Sequence, residues 1–132
     1  MARYTHFKRT EIAIWERYLA LEESKQYKFT YDVHLGEGVD PGAEYDPIMR
    51  EMWKHLTKLR ADVVGEASDH VAIFEVKRRG DMTALGQLLT YRQLWRLQNG
   101  YGRRIRLVLV CEDVHPDVEP ILRLHSVEII RV

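Results

Sequence analysis

Two carboxylates and a lysine recur at short spacing in the middle of this chain. Residues 60–91 read RADVVGEASDHVAIFEVKRRGDMTALGQLLTY, with Asp62, Glu75 and Lys77 as the groups able to do chemistry. Such a set suits metal-assisted cleavage of a phosphodiester. A magnesium-type ion takes oxygen ligands, chiefly Asp and Glu, and keeps several waters. It polarises the phosphate and lowers the pKa of a bound water. A neighbouring cation then stabilises the charge that builds in the transition state. Asp62 and Glu75 are the expected ligands for Mg²⁺ (or Mn²⁺), with the backbone carbonyl of Val76 as a third, and Lys77 orients the water or stabilises the phosphorane.

These side chains need a particular scaffold. Side chains on a strand alternate, so Glu75 and Lys77 share one face and Val76 takes the other. A turn around Glu66 to His70 pairs the strand at Arg60–Gly65 with the strand at Val71–Arg78 and brings Asp62 towards Glu75. Glu75 follows Val71-Ala72-Ile73-Phe74, an apolar run in which an unpaired charge is costly. A structural Glu75–Lys77 pair is the plain alternative to a site. Glu16, on the first helix, adds a carboxylate if that helix crosses the strand ends, and is otherwise the polar edge of an amphipathic helix. Gln87 and Tyr91 lie four apart on a helix and share a face. There Gln87 is expected to hold Lys77 or a metal-bound water, and Tyr91 to touch the substrate backbone.

In chain order, Thr10–Glu23 reads as a helix with an apolar stripe at Ile12, Trp15 and Leu19. Gln26–Leu35 switches to period two, with Phe29, Tyr31, Val33 and Leu35 as the apolar positions of a half-buried strand. Residues 36–44 (GEGVDPGAE) are loop by composition and lack the Lys-Ser/Thr of a phosphate-binding loop. Asp46-Pro47 starts a helix marked by Ile48, Met49, Met52, Trp53 and Leu56. After the two central strands, Asp81 or Thr83 begins a long helix that stops at Asn99-Gly100. Arg104–Cys111 is an apolar, internal strand. A short helix within 115–125 and a closing strand at Val127–Val132 complete the chain. The strand before the long helix and the strand after it should be parallel, joined by a right-handed crossover.

Composition limits the alternatives. The 132 residues suit one compact domain, with 45% hydrophobic and 30% charged residues and no formal net charge. No apolar run is long enough for a membrane span, and the N-terminal MARYTHFKRT lacks the apolar core of a signal peptide. The single Cys111 excludes an internal disulfide and fits a reducing compartment. The six histidines show no zinc spacing, and His34 is the one able to reach the site from a strand end. Between Lys77 and Arg106 eight basic residues face one acid, Asp81. This local excess, including Arg78, Arg79 and Arg92, could track a phosphate backbone or form a solvated face balanced by acids elsewhere.

Asp62, twelve residues, then Glu75-Val76-Lys77 on consecutive strands, followed by a capped helix carrying Gln87, resembles the PD-(D/E)xK nuclease superfamily. The likeness runs from Thr10 to Cys111. It implies an α/β fold: a single domain with a central mixed β-sheet flanked by helices, built on a restriction-endonuclease-like αβββαβ core. It further implies that Asp62 is the motif aspartate, Glu75 and Lys77 the Glu-x-Lys, Gln87 the supporting helical glutamine and Glu16 the helix-borne glutamate. Ala61 stands where the motif has proline, and the helix near Ile48 is an insertion in the minimal core. The expectation is a metal-dependent deoxyribonuclease acting on DNA, with Arg78, Arg79, Tyr91 and Arg92 against the nucleic acid. A homodimer is expected, in the cytoplasm of a prokaryote or phage-infected host. The rival is a non-catalytic nucleic-acid-binding or assembly module with the same fold; it would not need Asp62, Glu75 and Lys77 together.

Overall fold

The computed structural model describes residues 7–132, so His6 and most of the N-terminal stretch assessed as a signal peptide lie outside the described residues. Helix α1 spans Arg9–Leu19 and continues, after a short break, into a 3₁₀ turn at Glu22–Gln26. The expected single helix to Glu23 is thus split. Its start is tied by Glu11, whose carboxylate accepts from the Lys8 N–H (3.0 Å), rather than by Thr10. Strand β1 covers Lys28–Leu35, α2 Pro47–Leu56, β2 Leu59–Glu66, β3 His70–Gly80, α3 Met82–Asn99, β4 Arg104–Val114, α4 Glu119–Leu124 and β5 Val127–Arg131. Two expected caps are present: Asp46 accepts from Ile48 N–H at the start of α2, and Asp81 accepts from Thr83 N–H at the start of α3.

The strands form one mixed sheet in the order β1-β2-β3-β4-β5. The β1/β2 and β2/β3 pairs are antiparallel, and the crossover through α3 makes β3/β4 parallel, as β4/β5 also is. The fold is therefore the expected α/β layer structure. One face carries α3, with Leu88, Tyr91 and Trp95 packed on Ile73, Leu107 and Leu109. The other carries α1, with Ile14, Trp15 and Tyr18 packed on Phe74, Val76 and Val108. Trp15 meets Phe74 edge-on at 5.4 Å and stacks on Tyr18 at 5.0 Å, contacts that add to simple area burial.

The strand at Lys28–Leu35 departs from its expected alternation. Phe29 and Tyr31 join the α1-side core, whereas Val33 and Leu35 join or pack on the α3-side core. Between them Asp32 adopts a left-handed backbone conformation (φ 54°), uncommon for a residue with a Cβ. Its partner strand does the same: Val63 lies in the α1-side core and Ala61 in the α3-side core. Both strands turn over at the level of Asp32 and Asp62, while the register on either side stays in step.

At the other end of the sheet Arg106 is nearly buried. It pairs with Glu23 and Glu128 and donates to the Tyr27 hydroxyl (2.7 Å), which is also 2.7 Å from His70 Nε2. Removing one member of such a cluster leaves the others desolvated and unpaired. Arg106→Leu is expected to cost about 3 kcal/mol, read by urea unfolding, without altering chemistry at Glu75. Nearby, Arg103 and Arg104 pair with Glu66 and Asp69, so the C-terminal part of the basic stretch is matched by acids distant in sequence.

Candidate active site

The turnover at Asp62 has a direct consequence for the neighbouring strand. Pairing of β2 with β3 runs from Glu66↔Val71 to Val63↔Phe74 and stops one residue short of Asp62 and Glu75. Beyond that point β2 peels away and β3 loses its backbone partner on that side. The Asp62 carboxylate fills the gap, with its Oδ2 accepting from the Val76 N–H at 2.9 Å. The N–H and C=O of a strand residue point to the same edge, so the Val76 carbonyl faces this gap too.

Glu75 lies under Asp62. It is 1% exposed, on the α3 face set by alternation with Ile73 and Lys77. Its Oε1 is buried and makes no hydrogen bond in the described structure. Burial first, then the charge of Asp62 and a hydrogen bond shared with it, push the Glu75 carboxyl well above the ordinary carboxylate range, and Lys77 only partly opposes this. The ammonium of Lys77 is 3.9 Å from Glu75 Oε2, an ion pair too long for a hydrogen bond. Here the lysine is held nearby but keeps its donors, and its side chain is about one-quarter exposed.

Helix α3 closes the α3 side of the site. Tyr91 is buried, and burial pushes its hydroxyl up to about 12, with the charges of Glu75 and Asp62 adding and Gln87 opposing. Tyr91 thus feels both carboxylates, and Gln87 is its hydrogen-bond partner. Gln87 is half-buried and its Oε1, like that of Glu75, is buried without a hydrogen-bond partner. Buried oxygens of this kind are uncommon and costly. The Glu75 oxygen, beside the Asp62 carboxylate, is of the kind that a hard divalent cation and its waters satisfy.

The other expected site residues are placed differently. Glu16 is exposed on α1, whose buried side packs on the opposite face of the sheet, and among the described residues no third His, Cys, Asp or Glu joins Asp62 and Glu75 in a metal-sized group. The oxygens that this end of the sheet gathers are therefore those of Asp62 and Glu75, with the Val76 carbonyl facing the same gap. Arg78 and Arg79 are exposed just beyond Lys77 on β3, and alternation sets Arg79 on the face of Lys77 and Arg78 on the other. Arg92 is half-buried on α3 next to Tyr91. His34 stacks on His55 of α2, with ring centroids 5.0 Å apart. Asp32, an outward position by strand alternation, shapes the site without any motif to mark it. Its backbone performs the turnover, its Oδ1 is buried without a hydrogen bond, and its Oδ2 reaches Arg60 at 3.4 Å. Nothing in the local pattern marks it, because alternation continues through it unbroken.

No family model matches this sequence, and no curated protein is similar to it. Solved structures are. A repair endonuclease from Pyrococcus abyssi superposes with a TM-score of 0.59 at 20% identity, over 96% of this chain and 47% of the other. EndoMS in its apo form gives 0.52 at 20% identity, over 96% and 46%, and an EndoMS–dsDNA complex gives 0.51 at 19%, over 89% and 42%. The chain thus spans about half the length of the structures that it matches. What this similarity establishes is the fold: the chain is built like one half of these endonuclease structures.

Proposed function

We propose that this chain is a Mg²⁺- or Mn²⁺-dependent DNA nuclease of the PD-(D/E)xK type. The observation that carries the reading is the buried Glu75, with an orphaned carboxyl oxygen, set against Asp62 with Lys77 alongside. Such an arrangement costs stability and supplies what a metal-dependent hydrolase needs. Asp62, Glu75 and the Val76 carbonyl would hold the ion. When bound, the ion polarises the phosphate and acidifies a water.

The chain's own groups then do the remaining work. Lys77 orients the attacking water and stabilises charge on the phosphorane. Gln87 holds Lys77 or a water through its amide, whereas Tyr91, expected against the substrate, is buried in the α3-side core and backs the site from within. Water adds in line to phosphorus, the P–O bond to the leaving nucleotide breaks, and that oxygen takes up a proton. Arg79, Arg78 and Arg92 contact phosphates, a mode of recognition that reads the backbone and its shape rather than base sequence. The fold shared with a repair endonuclease, and with an EndoMS that was solved with double-stranded DNA, supports duplex or structured DNA as the substrate.

The test is cleavage of labelled single strand, duplex, flap and four-way junction with Mg²⁺, Mn²⁺ or EDTA. Metal-dependent hydrolysis on any of these is expected. Binding without cleavage on all of them would return the chain to a nucleic-acid-binding module. Within the nuclease reading, Gln87→Ala is expected to slow single-turnover cleavage by about 10- to 100-fold with little change in DNA affinity, the size of effect seen when a group that orients a metal site is removed.

A further inference from the structure

Helix α2 is turned inside out. Its residues Ile48, Met49, Met52, Trp53 and Leu56 occupy a single side, an arc of roughly 140° at 100° per residue. None of them is buried: exposures run from 51% at Trp53 to 75% at Ile48. Tyr45, at 46%, extends the patch, and Pro41, Tyr45, Met49 and Trp53 line an apolar groove within it.

The packed side of α2 is its polar one, and it is packed against the helix's own loop. Arg50 pairs with Asp40 (2.6 Å), and the Val39 N–H donates to Thr57 Oγ1 (2.6 Å). Gly38, at φ +76°, lies so close that a Cβ there would sit 1.8 Å from the Lys54 carbonyl oxygen. These ties hold the apolar side outward, so rolling the helix onto the sheet is not open to it.

We propose that this face binds a second copy of the chain, with the two α2 helices packed antiparallel across a two-fold axis. The six exposed side chains, together with Leu59 and Val39 beside them, leave on the order of 800 Å² of surface in water, the share that one partner gives to a standard interface. A patch of that size is unusual on a monomer. Charge also favours a copy packed in this orientation. Glu44 and Asp46 flank the start of α2, and His55 and Lys58 its end. A two-fold axis brings each acidic start against the basic end of the other copy, and it sets the helix dipoles antiparallel. The inference stands on surface chemistry alone, and its test reads no cleavage.

Sedimentation across the micromolar range is the experiment. The wild-type chain is expected to be a reversible dimer. Trp53→Glu is expected to weaken it about 100-fold, the effect of losing an aromatic anchor at an interface, with an unchanged circular dichroism spectrum because Trp53 is already half exposed. Met52 lies at mid-helix and meets its own copy, so Met52→Cys is expected to form a disulfide-linked dimer on mild oxidation; the native Cys111 is buried and takes no part. A wild type that stays monomeric throughout, or a dimer that survives Trp53→Glu, overturns the proposal. So does a monomer whose DNA affinity falls in Trp53→Glu, a result that would assign the face to nucleic acid.

Discussion

Lys77→Ala is expected to lower the rate of metal-dependent DNA cleavage by about 10³-fold or more, the loss that follows when a group stabilising transition-state charge is removed. The variant should fold. Lys77 is partly exposed and its ammonium stands 3.9 Å from Glu75 Oε2, so little native stability depends on it. Duplex affinity should change by only a few-fold, because the exposed Arg78 and Arg79 remain. The check is single-turnover cleavage alongside DNA binding measured with the metal replaced by Ca²⁺. Cleavage that survives the substitution would move the site elsewhere. Loss of binding in parallel with cleavage would make Lys77 a DNA contact rather than a catalytic residue.

Glu75→Gln carries the second large effect, and its sign is unusual: the variant should lose cleavage yet gain stability. The folded protein holds the Glu75 carboxyl protonated well above the ordinary carboxylate range, because of burial and then the neighbouring Asp62 charge. The unfolded chain releases that proton in the ordinary carboxylate range, near 4.3. Below this range both states are protonated, and Glu75 contributes no dependence on pH. Between the unfolded and folded values the unfolded state has lost a proton that the folded state retains, so raising the pH favours unfolding, by at most about 1.4 kcal/mol per pH unit. Gln has no proton to lose.

In EDTA the variant and wild type should therefore melt together near pH 5 and separate towards pH 8, with the variant higher by roughly 10 °C, or on the order of 3 kcal/mol. Adding Mg²⁺ or Mn²⁺ should raise the wild-type melting temperature and narrow the gap, since an ion that binds only the folded state stabilises it, whereas the variant should respond weakly. A variant that is less stable than wild type at every pH would mean that Glu75 has a structural partner, and the argument for a metal at this position would fail.

The placement of Asp62, Glu75 and Lys77 together was readable before the fold because it is local. Period-two alternation put Glu75 and Lys77 on one face, a short turn made β2 and β3 neighbours, and the apolar run before Glu75 marked its burial. The caps at Asp46 and Asp81 and the parallel β3/β4 pair across α3 were readable for the same reason: each follows from residue types within a few positions or from the length of a crossover. Gln87 and Tyr91 came into view through helical spacing alone. Glu16 did not transfer, because periodicity gives the face of a helix but not the face of the sheet on which that helix lands.

What depended on tertiary structure was decided by partners far apart in the chain. The left-handed residue at Asp32 turns β1 and β2 over together and ends β2/β3 pairing just before Asp62, which frees that carboxylate to bond Val76. No alternation pattern reports this, since the apolar residues continue in step while the face beneath them changes. The basic stretch divided, because Glu23, Glu66, Asp69 and Glu128 reach Arg103, Arg104 and Arg106 only in the folded chain. In α2 the sequence specified an apolar side, but its loop claimed the polar side and left the apolar one in water. Helical periodicity records that a face must be covered; which surface covers it is settled by packing beyond the helix.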